Sequence, residues 1–258
     1  MAAEGSIDPM HQFRVEPLVP LHIGPYDISL TNSSAWMLAT LVLVFGFMAL
    51  GMKRQLVPGR WQMATEGLTG FIDGMARVNI GPEGKKFVPY LFSLFTFILV
   101  ANFLGLMPFG IVPGVHSFTS TSHFSITGVL AVLSFSIVLI VGFWRHKLHF
   151  FSLFVPHGTP IVMVPLIFLI ELISFMVRPF SLGLRLFVAM IAGHILMEVF
   201  ASFIVSGLGS GPMGWAVGGL SFLFIMFVVA LELLMCAIQA YVFTLLTALY
   251  LNDAINLH

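Results

Sequence analysis

Two apolar tracts in the C-terminal half carry side chains that hydrocarbon does not tolerate without a reason. The first, Pro160 to Val205, holds Glu171, Arg178, Ser181, Arg185, His194 and Glu198. The second, Met213 to Leu251, holds Glu232 and Gln239, with Asp253 just beyond it. An ionisable group at membrane depth costs ~2.5–3.5 kcal/mol on insertion scales, so each calls for a partner or a task. Turning by about 100° per residue from Arg185 puts Arg178 near 20°, Glu171 near 40° and Ser181 near minus 40°, all on one face. His194 falls at about 180° and Glu198 near 220°, so the polar stripe changes sides past Arg185. On the second tract Ser221, Glu232 and Gln239 lie within about 20° of one another.

The chemistry follows from proton affinities. Arginine stays protonated, so it attracts a carboxylate but relays no proton. Glutamate and histidine do both, because burial and neighbouring charge bring their titration toward neutrality. A path of Glu198, His194 and Glu232 is suited to conducting protons. Arg185 beyond them is suited to blocking straight-through leakage while pairing briefly with a carboxylate on a moving partner. Two polar zones on opposite faces of one helix can serve two separate aqueous pockets.

The elements that must position these residues are membrane helices. With 59% hydrophobic and 9% charged residues among 258, the chain could not keep its apolar side chains off a water-facing surface. Formal charge balances, so net charge implies no nucleic acid. A crossing needs ~20 apolar residues, and the first such stretch runs from Ala35 to Met52, with Thr31, Asn32 and Ser33 as N-cap candidates. It ends at Lys53-Arg54. From there to Lys86 six basic residues stand against three acidic ones, which predicts a cytoplasmic or matrix-facing stretch and an N-terminus on the opposite side. Within it, Trp61–Ile80 is too polar to span, and its amphipathic pattern fits either an interfacial helix or one packed on protein. A hairpin of crossings follows, Phe87–Val112 and Ile126–Phe143, joined by the polar outer turn His116–His123 and ending at the basic Arg145-His146-Lys147.

The last two tracts are about twice too long for upright spans at ~1.5 Å per residue, so they must tilt, break, or both. Ser206–Pro212, rich in glycine, makes them an antiparallel hairpin. The expected fold is therefore an all-α membrane protein. It comprises one separate transmembrane helix, an interfacial helix, a transmembrane hairpin and a long, strongly tilted C-terminal helical hairpin. A single membrane domain, 1–258, is expected: a polar tail (1–30), the first helix, interfacial helix and hairpin (31–158), and the tilted ion-path hairpin (159–258).

Ser181-Leu-Gly-Leu-Arg185-Leu-Phe187, followed by Ala192-Gly193-His194, resembles the signature of subunit a of F-type ATP synthases. The run from Glu232 through Gln239 to Asp253 is similar to the bacterial and mitochondrial version, and the likeness covers essentially everything after Trp36. The resemblance implies a proton-translocating stator subunit with no active site of its own. It implies that Arg185 faces the carboxylate of a rotating proteolipid c-ring and separates two half-channels. His194 and Glu232 match a pair lining the outer half-channel, Gln239 a glutamine close to the arginine, Ser181 a small polar residue one turn before it, and Glu171 an acidic position toward the inner half-channel. Ala189 and Gly105 depart from the pattern, standing where some members carry asparagine and aspartate. Outer-path water must then rely on Asn102, His194, Glu198 or Glu232. Further implied partners are the peripheral stalk b subunits, the soluble ATPase sector via the stalk, and the lipid bilayer.

Other classes leave weaker traces. His146 and His149 lack nearby cysteine or carboxylate, so no metal site is expected. Neither a nucleophile elbow nor a phosphate-cradling loop is present, and no cofactor is expected. A secondary transporter would use upright broken helices, and the chain has no long internal repeat. The absence of a transit-like or signal-like start favours a bacterial inner membrane, with the mitochondrial inner membrane as the alternative, the N-terminus outside and the C-terminus inside.

Overall fold

The computed structural model describes residues 17–20, 22–23, 26–27, 29–52, 58–107, 119–155, 160, 163–207 and 211–256. Lys53, Arg54, all of 108–118 with His116, and residues 208–210 of the glycine-rich turn lie outside the described residues. Four short strands, β1 (Pro17–Val19), β2 (His22–Ile23), β3 (Tyr26–Asp27) and β4 (Leu30–Thr31), pair antiparallel as β1–β4 and β2–β3. Part of the segment read as a plain polar tail is therefore hydrogen-bonded. Six α-helices follow: α1 (Asn32–Gly51), α2 (Arg60–Ile80), α3 (Val88–Leu106), α4 (Phe124–His146), α5 (Val164–Gly207) and α6 (Gly211–Ile255). Five of them, all but α2, are long and apolar enough to cross a membrane.

Local chemistry explains the boundaries. Thr31 caps α1 reciprocally with Ser34: the Ser34 amide donates to Thr31 Oγ1 at 3.4 Å and the Thr31 amide to Ser34 Oγ at 2.9 Å. At the other end of α2, Gly81 takes φ 85° while its amide donates to the Arg77 carbonyl, a conformation that glycine alone adopts without a Cβ penalty. α5 and α6 run 44 and 45 residues without interruption. Pro179 sits inside α5 and removes one backbone donor, yet the helix continues. Helices of ~66 Å, about twice the hydrocarbon thickness, that do not break can fit a bilayer only by inclining.

The chain divides into two compact units, and α1, α3, α5 and α6 contribute to both. The first takes residues 1–43, 98–123 and 187–239. In it the end of α5 and the start of α6 come close: Gly211 adopts φ 72°, and a side chain at Gly207 would collide with the Gly214 carbonyl. Phe200 of α5 stacks on Phe224 of α6 with ring centroids 5.3 Å apart.

The second unit takes residues 44–97, 124–186 and 240–258. Here α2 buries Ile72, Met75, Ala76 and Ile80 while Trp61, Met63 and Val78 stay exposed, so the helix packs on protein with one face and keeps an outward apolar-polar face. Phe150 is fully enclosed against Gly142, among Phe143, Phe154 and Phe175. Gly183 lets α5 approach α4 closely, facing the Thr127 carbonyl and Ala131. Arg145 grips Glu83 through both guanidinium amino groups, with Nη2 to Oε1 at 2.9 Å, and His146 Nε2 donates to the Ile255 carbonyl at 2.9 Å.

Gly142→Leu should displace Phe150 and destabilise the fold by about 1–3 kcal/mol, read as a lowered unfolding temperature in detergent. The hydrogen bond from Arg145 holds the Glu83 carboxyl below its ordinary range, so the pair contributes above the unfolded-state pKa. That contribution should disappear only as pH falls through the lower folded value. Amide exchange across 82–86, corrected for its intrinsic pH dependence, should therefore stay protected at neutral pH and lose protection only once the pH falls below the ordinary glutamate range.

Candidate functional site

In the first unit, His194 of α5 and Glu232 of α6 meet in a buried position, with 6% and 4% of their surfaces exposed. His194 Nδ1 lies 3.3 Å from Glu232 Oε1. Its other nitrogen, Nε2, is hydrogen-bonded to Thr119 Oγ1. Neither Glu232 oxygen reaches a partner in hydrogen-bonding geometry among the described residues, although Oε1 is within ion-pair distance of the imidazole. A buried carboxylate of that kind marks a place that a water molecule or a transferring proton completes. The imidazole is well placed to relay: with its proton on Nδ1 it faces the carboxylate and accepts from Thr119, and with a proton on Nε2 the hydroxyl becomes the acceptor.

The helix contact that brings the pair together is made possible by Gly193. A methyl group there would lie 2.8 Å from both Cδ and Oε1 of Glu232. Ser221, Glu232 and Gln239 are all buried, so the stripe inferred from helical spacing is a real inward face of α6. Asn102 of α3 is fully buried, accepting from Thr121 at 2.7 Å and donating weakly to the Cys236 carbonyl at 3.5 Å. Glu198, one turn beyond His194, is half-buried.

The polar run before His123, expected as an outer turn, contributes to the same network: Thr119, Ser120, Thr121 and Ser122 are buried, and two of their hydroxyls bind Asn102 and His194. Composition did not reveal that network, because hydroxyl groups suit water and buried polar networks equally. The signal that could have exposed Thr119 was Gly105: a side chain there would collide with the Thr119 hydroxyl.

In the second unit, Arg185 and Ser181 are exposed on α5, and Glu171 is half-buried. Leu182 and Leu186 are buried, so α5 turns these two into the protein and the arginine outward. Arg178 is paired structurally: Nη1 donates to Asp253 Oδ2 at 3.0 Å, and the guanidinium lies over Phe175 and Tyr250. Tyr250, absent from the sequence-derived set, lies within electrostatic reach of Arg178, Arg185 and Asp253. No group of three or more His, Cys, Asp or Glu side chains placed to hold a metal occurs among the described residues.

Residues 33–252 match the family described as ATP synthase A chain. The chain belongs to that family. Among its relatives, ATP synthase subunit a of Rhizorhabdus wittichii is 64% identical across the whole of both chains. The protein of the same name in Novosphingobium aromaticivorans is 61% identical over 99% of this chain and all of the relative. That of Parvibaculum lavamentivorans is 45% identical over 97% and 94%. Together with the five long apolar helices, membership of the ATP synthase A chain family makes this a multi-pass membrane protein and a component of a larger complex.

Gly193→Ala should separate Glu232 from His194. Proton conduction through the assembled complex in vesicles, followed by a pH-sensitive dye, is expected to fall about tenfold for each 1.4 kcal/mol added to the limiting step. Gly219→Ala, where a methyl group meets nothing, serves as the matched control and should leave conduction unchanged.

Proposed function

We propose that this chain is the proton-translocating stator subunit of an F-type ATP synthase, a non-catalytic part of the complex that couples ion flow to rotation. The observation that carries the proposal is Arg185: a permanent cation, exposed on a helix long and apolar enough to cross a membrane, nine residues before a buried, relay-competent histidine on the same helix. A charge so placed faces either lipid, where it is costly, or a partner that supplies an opposite charge. A ring of small proteolipid subunits with a membrane carboxylate is such a partner.

Protons enter an outer half-channel lined by Glu198, His194 and Glu232, with Asn102 and Thr119 ordering its polar wall, and pass to the ring carboxylate. Neutralised, that carboxylate turns through lipid. After nearly a full revolution the proton leaves by an inner half-channel near Glu171, as Arg185 draws the emptied carboxylate into place. Arg185 cannot itself give up its proton, so it keeps the two half-channels from short-circuiting. Ser181 and Gln239 flank this exchange. Each charge crossing ~100 mV releases ~2.3 kcal/mol, so several must pass for each ATP made in the soluble sector. The basic flanks put the N-terminus outside and the C-terminus inside, in a bacterial inner membrane, with the stalk b subunits holding the chain against the turning ring.

Arg185→Gln in the intact complex should abolish ATP synthesis driven by an imposed proton gradient in inverted vesicles; retention of full synthesis would sink the assignment. Glu232→Gln should keep the coupling and slow synthesis by at least about tenfold. An unchanged rate in that variant would remove Glu232 from the path.

A further inference from the structure

The basic corner where α4 ends contains none of the residues assigned above to either half-channel. A cavity of about 550 Å³ opens there, and its polar rim consists of Lys86, Arg145 and Glu83. Its walls are Phe87, Ile140, Val141 and Trp144. We infer that this cavity is a binding site for an anionic phospholipid, with the phosphodiester at Lys86 and Arg145 and an acyl chain along the wall of α4.

Charge sets the class of ligand. Two cations face one carboxylate at the rim, which leaves a surplus of one positive charge, and Lys85 and Lys147 adjoin it in sequence. Glu83 does not cancel Arg145 as a donor. It holds the guanidinium through two N–H groups, and three of the five N–H donors remain to address a second anion in a fixed orientation. The order of side chains on α4 sets the rest. Ile140, Val141, Trp144 and Arg145 fall on one helical face, so the surface passes from aliphatic to indole to guanidinium within about a turn and a half. A phospholipid presents the same sequence of chemistries, from chain to glycerol ester to phosphate. Trp144 is 84% exposed, and an indole with an apolar body and one N–H donor is suited to the level of the ester groups. A soluble anion would use the rim but leave the apolar wall unexplained; a neutral lipid would use the wall but leave the surplus charge unexplained.

The test uses the intact complex in nanodiscs of phosphatidylcholine doped with either of two photoreactive lipids, phosphatidylglycerol or phosphatidylcholine, each carrying a diazirine on one chain. Labelled peptides are mapped by mass spectrometry. Phosphatidylglycerol should label the 140–145 segment at least three-fold more than phosphatidylcholine does, while the exposed stretch of α1 at Val42 and Phe45 is labelled alike by both. Lys86→Glu, which leaves the Arg145–Glu83 pair in place, should erase the difference at 140–145 and leave α1 labelling unchanged. Equal labelling by the two lipids, or a preference indifferent to Lys86→Glu, overturns the inference. Failure of either lipid to label 140–145 while α1 is labelled also overturns it, because a protein neighbour then covers the corner. None of these readouts depends on Arg185, so the outcome stands apart from that of the synthesis assay.

Discussion

Hydrocarbon offers no hydrogen bonds, and placing a carboxylate and an imidazole inside a membrane helix pair is the constraint around which the rest of the structure is arranged. Glu232 Oε1 lies 3.3 Å from His194 Nδ1. That closeness requires Gly193 on α5, since any side chain there would fill the space the carboxylate occupies. It also requires a hydroxyl on the far side of the imidazole, supplied by Thr119 from the stretch before α4. Thr119 has room only because residue 105 is glycine. A pair of ionisable residues thus dictates small residues at two sites far apart in the chain.

The same cost is handled in opposite ways by the two arginines of α5. Arg178 is matched within the chain, bonded to Asp253 and laid over two aromatic rings, which makes it an anchor between α5 and the end of α6. Arg185 points outward from a helix whose neighbouring Leu182, Leu186 and Met190 are buried. Seven residues separate them, close to two turns, yet one cation is consumed by structure and the other is presented at the surface. Two turns of α5 therefore hold a fixed ion pair beside an exposed cation. Helix length serves the same end, because α5 and α6 can carry polar groups at several depths without breaking.

Much of the architecture was legible because membrane helices announce themselves by length and composition. The five apolar tracts, the amphipathic α2 and the long final hairpin all follow from a ~20-residue crossing and 3.6-residue periodicity. Periodicity also placed Ser221, Glu232 and Gln239 on one face of α6, and all three are buried. The buried network of the hydroxyl run Thr119–Ser122 and the place of Tyr250 went unnoticed. Both omissions have one origin. Serine, threonine and tyrosine are compatible with water, lipid interface or a buried network, and their type alone does not choose among these.

By itself the sequence determined which segments enter the membrane, where charge interrupts them, and which side of each helix is polar, since these depend on residue type and a fixed angle per residue. Only the tertiary structure decided which polar faces meet: His194 with Glu232 and Thr119, Asn102 with Thr121, Arg178 with Asp253. Such pairings join residues from 19 to 75 positions apart, and they depend on where small residues allow two backbones to approach. Helical periodicity carries no information about that distance, because it describes each helix alone.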